Sequence, residues 1–208
     1  MNETGLHHRL LSIFAADAAG YSRLMSDDDH ATVVALDAAL DAARELFRSH
    51  IEAHEGRVID MAGDSVLATF ETASGAVQAA LAVQARLQAD ASALPESRKM
   101  RFRIGIHLGD VIEKADGTVY GDGVNIAARL QALAEPGGIN VSHAVHGAIG
   151  KRVDANFDDL GEHEVKNIAA PVRAFRVRAH SDGLRFGRFE IRFSEHRLLV
   201  DGAPVILV

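Results

Sequence analysis

The chain alternates strand-length apolar runs with two long amphipathic segments, and this alternation is its most constraining feature. A strand-length run covers residues 10–16 (LLSIFAA) and stops at Asp17. Residues 28–54 then carry apolar side chains at helical spacing, and residues 73–94 repeat that pattern until Pro95. Because every apolar face must be buried against another element, the pattern predicts helices packed on a sheet, an α+β or α/β fold.

Shorter elements complete the predicted fold. Residues 57–61 and 66–70 predict two strands of a hairpin around Gly63 and Asp64. Gly56 is expected to terminate the first helix, as glycine commonly does. The remaining predicted elements are strands at 100–108, 139–142 and 172–177 and helices at 124–133 and 144–149.

The composition excludes several kinds of site. Among its 208 residues the chain has no cysteine, which excludes disulfides, thiolate zinc sites, iron–sulfur clusters and cysteine nucleophiles. It has no tryptophan and a net charge of −7, so it lacks the aromatic platforms and basic field that nucleic acids require. Without a membrane-length apolar run or an N-terminal signal core, we expect a cytoplasmic protein that binds neither membrane nor nucleic acid.

Two carboxylates fall in turns beside predicted strands. Asp17 ends the first strand and is followed by a turn of small residues, whose backbone N–H groups are free to face phosphate. Asp64 lies at the tip of the predicted hairpin. Two carboxylates on adjacent strands suit one or two hard cations that also bind phosphate oxygens. Helix capping by Asp17 and turn formation by Asp64 are the commoner roles of aspartate at such positions, and they explain the same pattern.

A third segment combines an amide and a guanidinium on one helix face. In YGDGVNIAARL, Gly121 and Gly123 open a predicted helix, and Asn125 and Arg129 follow four residues apart. An amide and a guanidinium near a helix N-terminus suit a ribose and a phosphate. Taken alone, the segment is more typical of an ordinary solvated helix face.

Together these segments resemble the catalytic domain of class III nucleotidyl cyclases, especially bacterial ones. The resemblance covers residues 9–178 and rests on AADAAGYSRLM, GDS, FRIGIHLGDV, YGDGVNIAARLQALAEPGGI and DLGEHEVKNIAAPV. It implies an α+β, ferredoxin-like fold with a central, mostly antiparallel sheet, acting as a head-to-tail homodimer with two interfacial sites. It also implies conversion of a nucleoside triphosphate into a 3′,5′-cyclic monophosphate and pyrophosphate, with two Mg²⁺ or Mn²⁺ ions per site.

The resemblance assigns roles to individual residues. Asp17 and Asp64 match the metal-binding aspartates, Asn125 the residue that orients the ribose, and Arg129 the arginine that stabilises charge on the α-phosphate. Lys166 falls where a lysine of this family reaches the polyphosphate. The turn whose backbone meets the triphosphate comprises Ala18, Ala19, Gly20 and Tyr21.

The base preference stays open because two positions disagree. Four residues before the second metal aspartate, adenylyl cyclases carry lysine and guanylyl cyclases glutamate, but this chain has Asp60. Three residues before Gly121 it has Thr118, as in a bacterial adenylyl subgroup. A carboxylate accepts from the guanine N1–H and N2–H groups and repels adenine N1. Arg57 is not expected to replace the lysine, since positions 57 and 60 of a regular strand face opposite sides.

Three hypotheses follow for the function. The first is an adenylate cyclase that converts ATP to cyclic AMP, which is the commonest activity of bacterial domains of this type. The second is a guanylate or relaxed-specificity cyclase, which Asp60 favours. The third is a catalytically weak nucleotide-binding or dimerisation module, against which the presence of both aspartates, Asn125 and Arg129 argues.

The two ends of the chain differ from the cyclase-like region. Residues 1–8 are expected to form an N-terminal tail and residues 179–184 a linker. Residues 185–208 predict short strands and resemble the opening strands of a response-regulator-type winged-helix DNA-binding domain, without its recognition helix. Because this segment is too short for a core of its own, we expect that it either packs on the first domain or begins a part that continues beyond residue 208, and the winged-helix resemblance favours the second.

Overall fold

A computed structural model describes residues 6–21, 30–164, 170–180, 183–192, 197–200 and 203–205. Its main body is one eight-stranded sheet with helices on both faces. The strands are β1 (Leu6–Ala18), β2 (Gly56–Asp60), β3 (Ser65–Phe70), β4 (Phe102–Lys114), β5 (Val119–Tyr120), β6 (Ile139–Ser142), β7 (Ala155–His163) and β8 (Val172–Ala179). The helices are α1 (His30–Ala53), α2 (Ala73–Asp90), α3 (Asp122–Leu133) and α4 (His143–Ile149).

The strand order places β1 in the middle of the sheet. The order is β2-β3-β1-β4-β6-β8-β7, and β5 adds to β4. The pairing of β4 with β6 is parallel, and the other pairings of this sheet are antiparallel. Because β1 is flanked by β3 and β4, a side chain at its C-terminal end lies between two strands that run in the opposite direction.

One face of the sheet carries the main core. Phe14 and Ala16 of β1 point to this face and pack against α1, α2 and α4. Aromatic rings from four elements meet there, with centroids of Phe14 and Phe47 6.1 Å apart and those of Phe47 and Phe102 4.9 Å apart. Edge-on contacts of this kind favour a single arrangement of the helices over the sheet.

The opposite face carries a smaller core beneath α3. Consecutive strand residues point to opposite faces, so Leu11, Ile13 and Ala15 pack on this side, with Ala127 of α3. Asp17 follows the same alternation and belongs to the α3 face. The apolar run at the start of the chain is therefore buried on both sides and ends in a carboxylate at the rim of the second core.

The predicted elements are largely confirmed, with differences at their ends. The strand at 139–142 matches β6, whereas β1 and β4 are longer than predicted because they pair with each other along thirteen residues. Strand β7 was not predicted from the sequence. It lies at the sheet edge, and its side chains are half-buried or exposed and include several charges. Without an apolar face, it lacks the alternation that identifies a strand.

The prediction that Gly56 terminates the first helix is wrong. The left-handed residue is Glu55, with φ 61°, and Gly56 is already the first residue of β2. A Cβ atom on Gly56 would lie 2.4 Å from Cε1 of Phe70 and 2.8 Å from Cγ2 of Ile51. Glycine is required here for close packing rather than for the helix terminus.

The C-terminal segment forms a second, four-stranded antiparallel sheet. Its strands are β9 (Gly183–Phe186), β10 (Phe189–Arg192), β11 (Arg197–Val200) and β12 (Ala203–Val205), in the order β12-β11-β10-β9. The short strands predicted in this region are therefore present. The Asp-Gly pair between β11 and β12, residues 201–202, is typical of a hairpin turn and lies outside the described residues.

Candidate active site

Asp17 lies at the C-terminal end of β1, between its two neighbouring strands. Its register partners are Ser65 on β3 and Arg103 on β4. The carboxylate is half-buried, and the Ser65 hydroxyl donates to its Oδ1 over 3.4 Å. The pairing of β1 with both strands therefore holds this carboxylate on the α3 face of the sheet.

The hairpin between β2 and β3 brings Asp64 to the same place. Gly63 has φ 58°, which is readily adopted by glycine, and Ser65 N–H donates to the carbonyl of Ala62 over 3.1 Å to close the turn. The backbone carbonyl of Asp64 then accepts from the N–H of Ala18 over 3.2 Å. The structure thus brings together the two carboxylates that the sequence singled out.

The electrostatics of the pair suit a hard cation. Burial raises the pKa of the Asp17 carboxyl, the neighbouring Asp64 carboxylate raises it further, and the Arg103 guanidinium opposes both. A divalent cation between two such oxygen donors would relieve their repulsion. Among the described residues no group of three or more metal-binding side chains occurs. A cation held by these two carboxylates would keep coordination positions for phosphate oxygens and water.

The turn after Asp17 already uses part of its backbone within the chain. Ala18 N–H is bound to Asp64, and Ala19 N–H donates to the carbonyl of Arg101 over 2.7 Å. Gly20 has φ 76° and is exposed, with no heavy atom within 4 Å of where a Cβ would be. Tyr21 follows it as a half-buried residue. The open part of this turn therefore lies at Gly20 and Tyr21.

Arg103 is a site residue that the sequence analysis missed. It is half-buried on β4 opposite Asp17, and its positive charge lowers the pKa of that carboxyl. Within the described part of the chain, its buried Nε has no hydrogen-bond partner. Its place in the alternating run FRIGIHL indicated only which face it occupies; the register against β1 places it beside Asp17.

Helix α3 lies directly on β4 and presents Asn125 and Arg129 to solvent. A Cβ on Gly105 would lie 2.2 Å from both the carbonyl oxygen of Ala127 and the amide nitrogen of Gln131, so only glycine permits this contact. Both Asn125 and Arg129 are exposed, and across the described ranges neither side chain has a hydrogen bond or ion pair. Arg129 is not among the charges that shift the pKa of Asp17. The structure therefore does not bring these two residues to the aspartate pair within one chain.

A β-bulge changes the geometry predicted for Asp60. Val58 pairs with Ala68 and Asp60 with Leu67, which leaves Ile59 as the extra residue. Arg57 pairs with Thr69, two positions from Leu67 on β3, so Arg57 and Asp60 share a face.

The prediction that positions 57 and 60 face opposite sides is therefore wrong, because the bulge interrupts the alternation. Arg57 is nevertheless engaged elsewhere. It forms an ion pair with Glu113 and donates to the carbonyl of Gly117 over 3.3 Å. Hydrogen bonding from Arg9, together with the charge and hydrogen bond of Arg57, lowers the pKa of Glu113.

The other base-related position, Thr118, lies in the turn between β4 and β5. Two hydrogen bonds hold its backbone in place. Its N–H donates to Oδ1 of Asp116 over 2.9 Å, and its carbonyl accepts from Lys114 N–H over 2.9 Å. Thr118 is half-buried and Asp60 exposed. Lys166, the remaining predicted site residue, lies outside the described residues.

Comparison with known proteins gives consistent matches to one family. The sequence model of the adenylate and guanylate cyclase catalytic domain matches residues 7–178. A protein of Rhizobium meliloti named "Putative adenylate cyclase 3" is 43% identical over 172 residues, which are 83% of this chain and 29% of that protein. The chain thus spans less than a third of this relative.

Solved structures support the fold. The adenylate/guanylate cyclase/hydrolase of Silicibacter pomeroyi has a TM-score of 0.74 and 40% identity, covering 83% of this chain and 98% of that one. The adenylyl cyclase CyaB of P. aeruginosa has a TM-score of 0.71 at 24% identity, covering 85% and 97%, which is a likeness of fold alone. These likenesses confirm the predicted α+β class with a central sheet. Within the described residues, no helix has the length and apolarity needed to cross a membrane.

Proposed function

We propose, from the premise that this chain belongs to the adenylate and guanylate cyclase catalytic-domain family, that it converts ATP into 3′,5′-cyclic AMP and pyrophosphate. The observation that carries the proposal is the facing pair of Asp17 and Asp64 at the end of β1. Proteins of this family generally use divalent metal ions, and two half-buried carboxylates are suitable ligands for Mg²⁺ or Mn²⁺. We expect two ions per site.

The chemistry requires no nucleophile from the protein. The ribose 3′-oxygen forms a bond to the α-phosphorus, the bond from that phosphorus to the bridging oxygen of the β-phosphate breaks, and the hydroxyl proton passes to solvent. A divalent cation bound to the two aspartates supplies charge that lowers the pKa of the 3′-hydroxyl and neutralises the polyphosphate. The absence of cysteine is compatible with this reaction.

The residues around the pair would bind the polyphosphate. Arg103 is a half-buried cation beside Asp17, and its guanidinium is suited to a phosphate oxygen. Gly20 and Tyr21 are the part of the following turn that remains for phosphate, because Ala18 and Ala19 N–H are already bound. Lys166 is proposed to reach the same polyphosphate.

Asn125 and Arg129 would act from a second copy of the chain. Both are exposed on α3, and the Arg129 charge does not act on Asp17 within one chain. A head-to-tail homodimer would supply Asn125 to the ribose and Arg129 to the α-phosphate at the site of its partner. A guanidinium placed where charge develops stabilises the transition state electrostatically.

The second candidate is a guanylate or relaxed-specificity cyclase. Asp60 is exposed on the α3 face, and its carboxylate would accept from guanine N1–H and N2–H. Arg57, the cation nearest in sequence, is held by Glu113 and does not supply the missing lysine. Thr118, by contrast, favours ATP, as does the name of the Rhizobium meliloti relative, "Putative adenylate cyclase 3".

The domain limits are part of the proposal. Residues 9–178 would form the catalytic domain after a tail of residues 1–8, and residues 179–184 a linker. Residues 185–208 would form a β-strand tail that resembles the opening strands of a winged-helix domain.

The test is a cyclase assay with Mn²⁺ in which ATP and GTP are offered separately and the products are separated by chromatography. Cyclic AMP would support the first candidate and cyclic GMP the second. Nucleotide binding without pyrophosphate release would instead indicate a regulatory module.

Arg129→Ala should lower kcat by about 10²-fold or more. Arg86→Ala, which removes an arginine ion-paired to Asp90 on α2, is the matched control and should leave kcat unchanged. Full activity of Arg129→Ala would refute the catalytic assignment.

A further inference from the structure

Helix α1 contacts both of the turns that carry the aspartate pair. At one point the Tyr21 hydroxyl donates to Oδ1 of Asp37 over 3.0 Å, and Tyr21 belongs to the turn that follows Asp17. At another point the Arg44 guanidinium donates to the backbone carbonyl of Gly63, the residue before Asp64. Asp37 and Arg44 are seven residues apart, about two helical turns, and so lie on one side of α1.

The Arg44 contact is well placed to hold the hairpin tip. Its Nη1 donates to Oδ1 of Asp41 over 2.8 Å, one turn earlier on the helix, which orients the guanidinium. The side chain is 31% exposed, and its bond to the exposed Gly63 lies at the surface of the domain. On the next turn Arg48 approaches the Met61 sulfur at 3.9 Å. The side of α1 that carries Asp37, Arg44 and Arg48 therefore covers the loop that leads to Asp64.

The electrostatics place these groups in one small cluster. Burial raises the pKa of the Tyr21 phenol, and the hydrogen bond to Asp37 raises it further. The Asp64 carboxylate also raises it, whereas the Arg44 guanidinium lowers it. The phenol therefore lies within reach of both the second aspartate and the arginine that holds its turn.

We infer that Arg44, together with Asp37, is a positioning residue that sets the separation of Asp17 and Asp64 and thereby the affinity of the pair for a divalent cation. Two facing carboxylates repel each other, and the glycine at the hairpin tip offers little resistance to their separation. A tether to the carbonyl of Gly63 opposes that motion. The inference rests on the proposed function, because it concerns the same metal site.

The test measures Mn²⁺ binding directly, in the full chain and without nucleotide, by the electron paramagnetic resonance signal of the free ion. Loss of a group that orients metal ligands typically weakens metal affinity at least about 10-fold, and we expect this for Arg44→Gln. Arg44→Lys should recover much of the affinity, since its ammonium still donates to the carbonyl of Gly63. Arg86→Gln removes the same charge from α2 and should bind Mn²⁺ like the unmodified chain.

The outcomes separate the inference from the proposed function. Unchanged Mn²⁺ binding by Arg44→Gln, with weakened binding by Asp64→Asn, overturns the inference and leaves the metal site standing. Unchanged binding by Asp64→Asn overturns the metal site and the inference with it. Should Arg44→Gln fail to fold, Asp37→Ala removes the other tether; weaker Mn²⁺ binding by that variant supports the inference and unchanged binding contradicts it.

Discussion

Replacing His107 by leucine should remove a measurable part of the pH dependence of stability. His107 lies on β4 and faces α3: a Cβ on Gly109 would lie 2.6 Å from its Nε2, and one on Gly123 would lie 3.6 Å from its Cδ2. Across the described ranges its buried Nδ1 has no hydrogen-bond partner. Burial lowers the pKa of His107 from 6.5 to about 4.

The sign and size of the effect follow from this shift. In the unfolded chain the imidazole takes up a proton near pH 6.5, whereas in the folded chain it does so only near pH 4. The unfolded state therefore binds more protons between these values, and acidification through this window lowers the free energy of unfolding. The fall of the pKa from 6.5 to about 4 corresponds to a loss of about 3 kcal/mol by pH 4, and the loss is complete only below that pH.

Urea unfolding of the unmodified chain and of His107→Leu, from pH 7.5 down to pH 4, measures this loss. In the difference between their free energies of unfolding, the contributions of the other titrating groups, including Asp17, cancel. Above pH 6.5 the difference should be constant, and below it should fall by up to about 1.4 kcal/mol per pH unit. Parallel curves for the two chains would show that burial of His107 does not contribute to the pH dependence of stability. An NMR titration of the His107 ring gives its pKa independently.

Three further predictions concern other parts of the domain. Gly105→Ala should destabilise the fold by about 1–3 kcal/mol or more in urea, because the new methyl group overlaps the backbone of α3. Gly147→Ala, in open space within α4, should instead stabilise by up to about 1 kcal/mol, and equal effects of the two substitutions would contradict the packing argument. Asp60→Lys should raise the ratio of kcat/KM for ATP over GTP, and an unchanged ratio would mean that residue 60 does not face the base. Asp17→Asn should abolish turnover and, without metal, raise the urea midpoint, since burial and Asp64 both disfavour the Asp17 carboxylate; a lowered midpoint would argue against that repulsion.

Much of the candidate site was predictable from local sequence patterns. The apolar run that ends at Asp17 and the hairpin with Gly63 and Asp64 at its tip predicted that each carboxylate lies in a turn beside a strand, and the pairing of β1 with β3 brings the two turns together. The helical spacing of Asn125 and Arg129 likewise predicted that they share an exposed face. These patterns are reliable because apolar periodicity and turn residues act over a few neighbouring positions.

Other features depended on partners that are distant in sequence. Arg103 belongs to the site because it lies opposite Asp17, on a strand more than eighty residues later in the sequence. Arg44 belongs to it because its guanidinium, on a helix, donates to the carbonyl of Gly63 in the hairpin. Nothing in the residues next to either arginine indicates these contacts, since they follow from the order in which the strands and helices pack.

The class of fold, the turns that carry Asp17 and Asp64 and the shared helix face of Asn125 and Arg129 follow from the sequence, because each depends on local periodicity and turn chemistry. The pairing of β1 with β3, which brings the two aspartates together, and the bulge at Ile59, which puts Arg57 and Asp60 on one face, depend on the tertiary structure. So does the packing of Gly56 against Phe70, after a left-handed residue at Glu55. Register and close packing are set by the whole sheet at once. A single inserted residue or a missing Cβ can therefore reverse what the local pattern indicates.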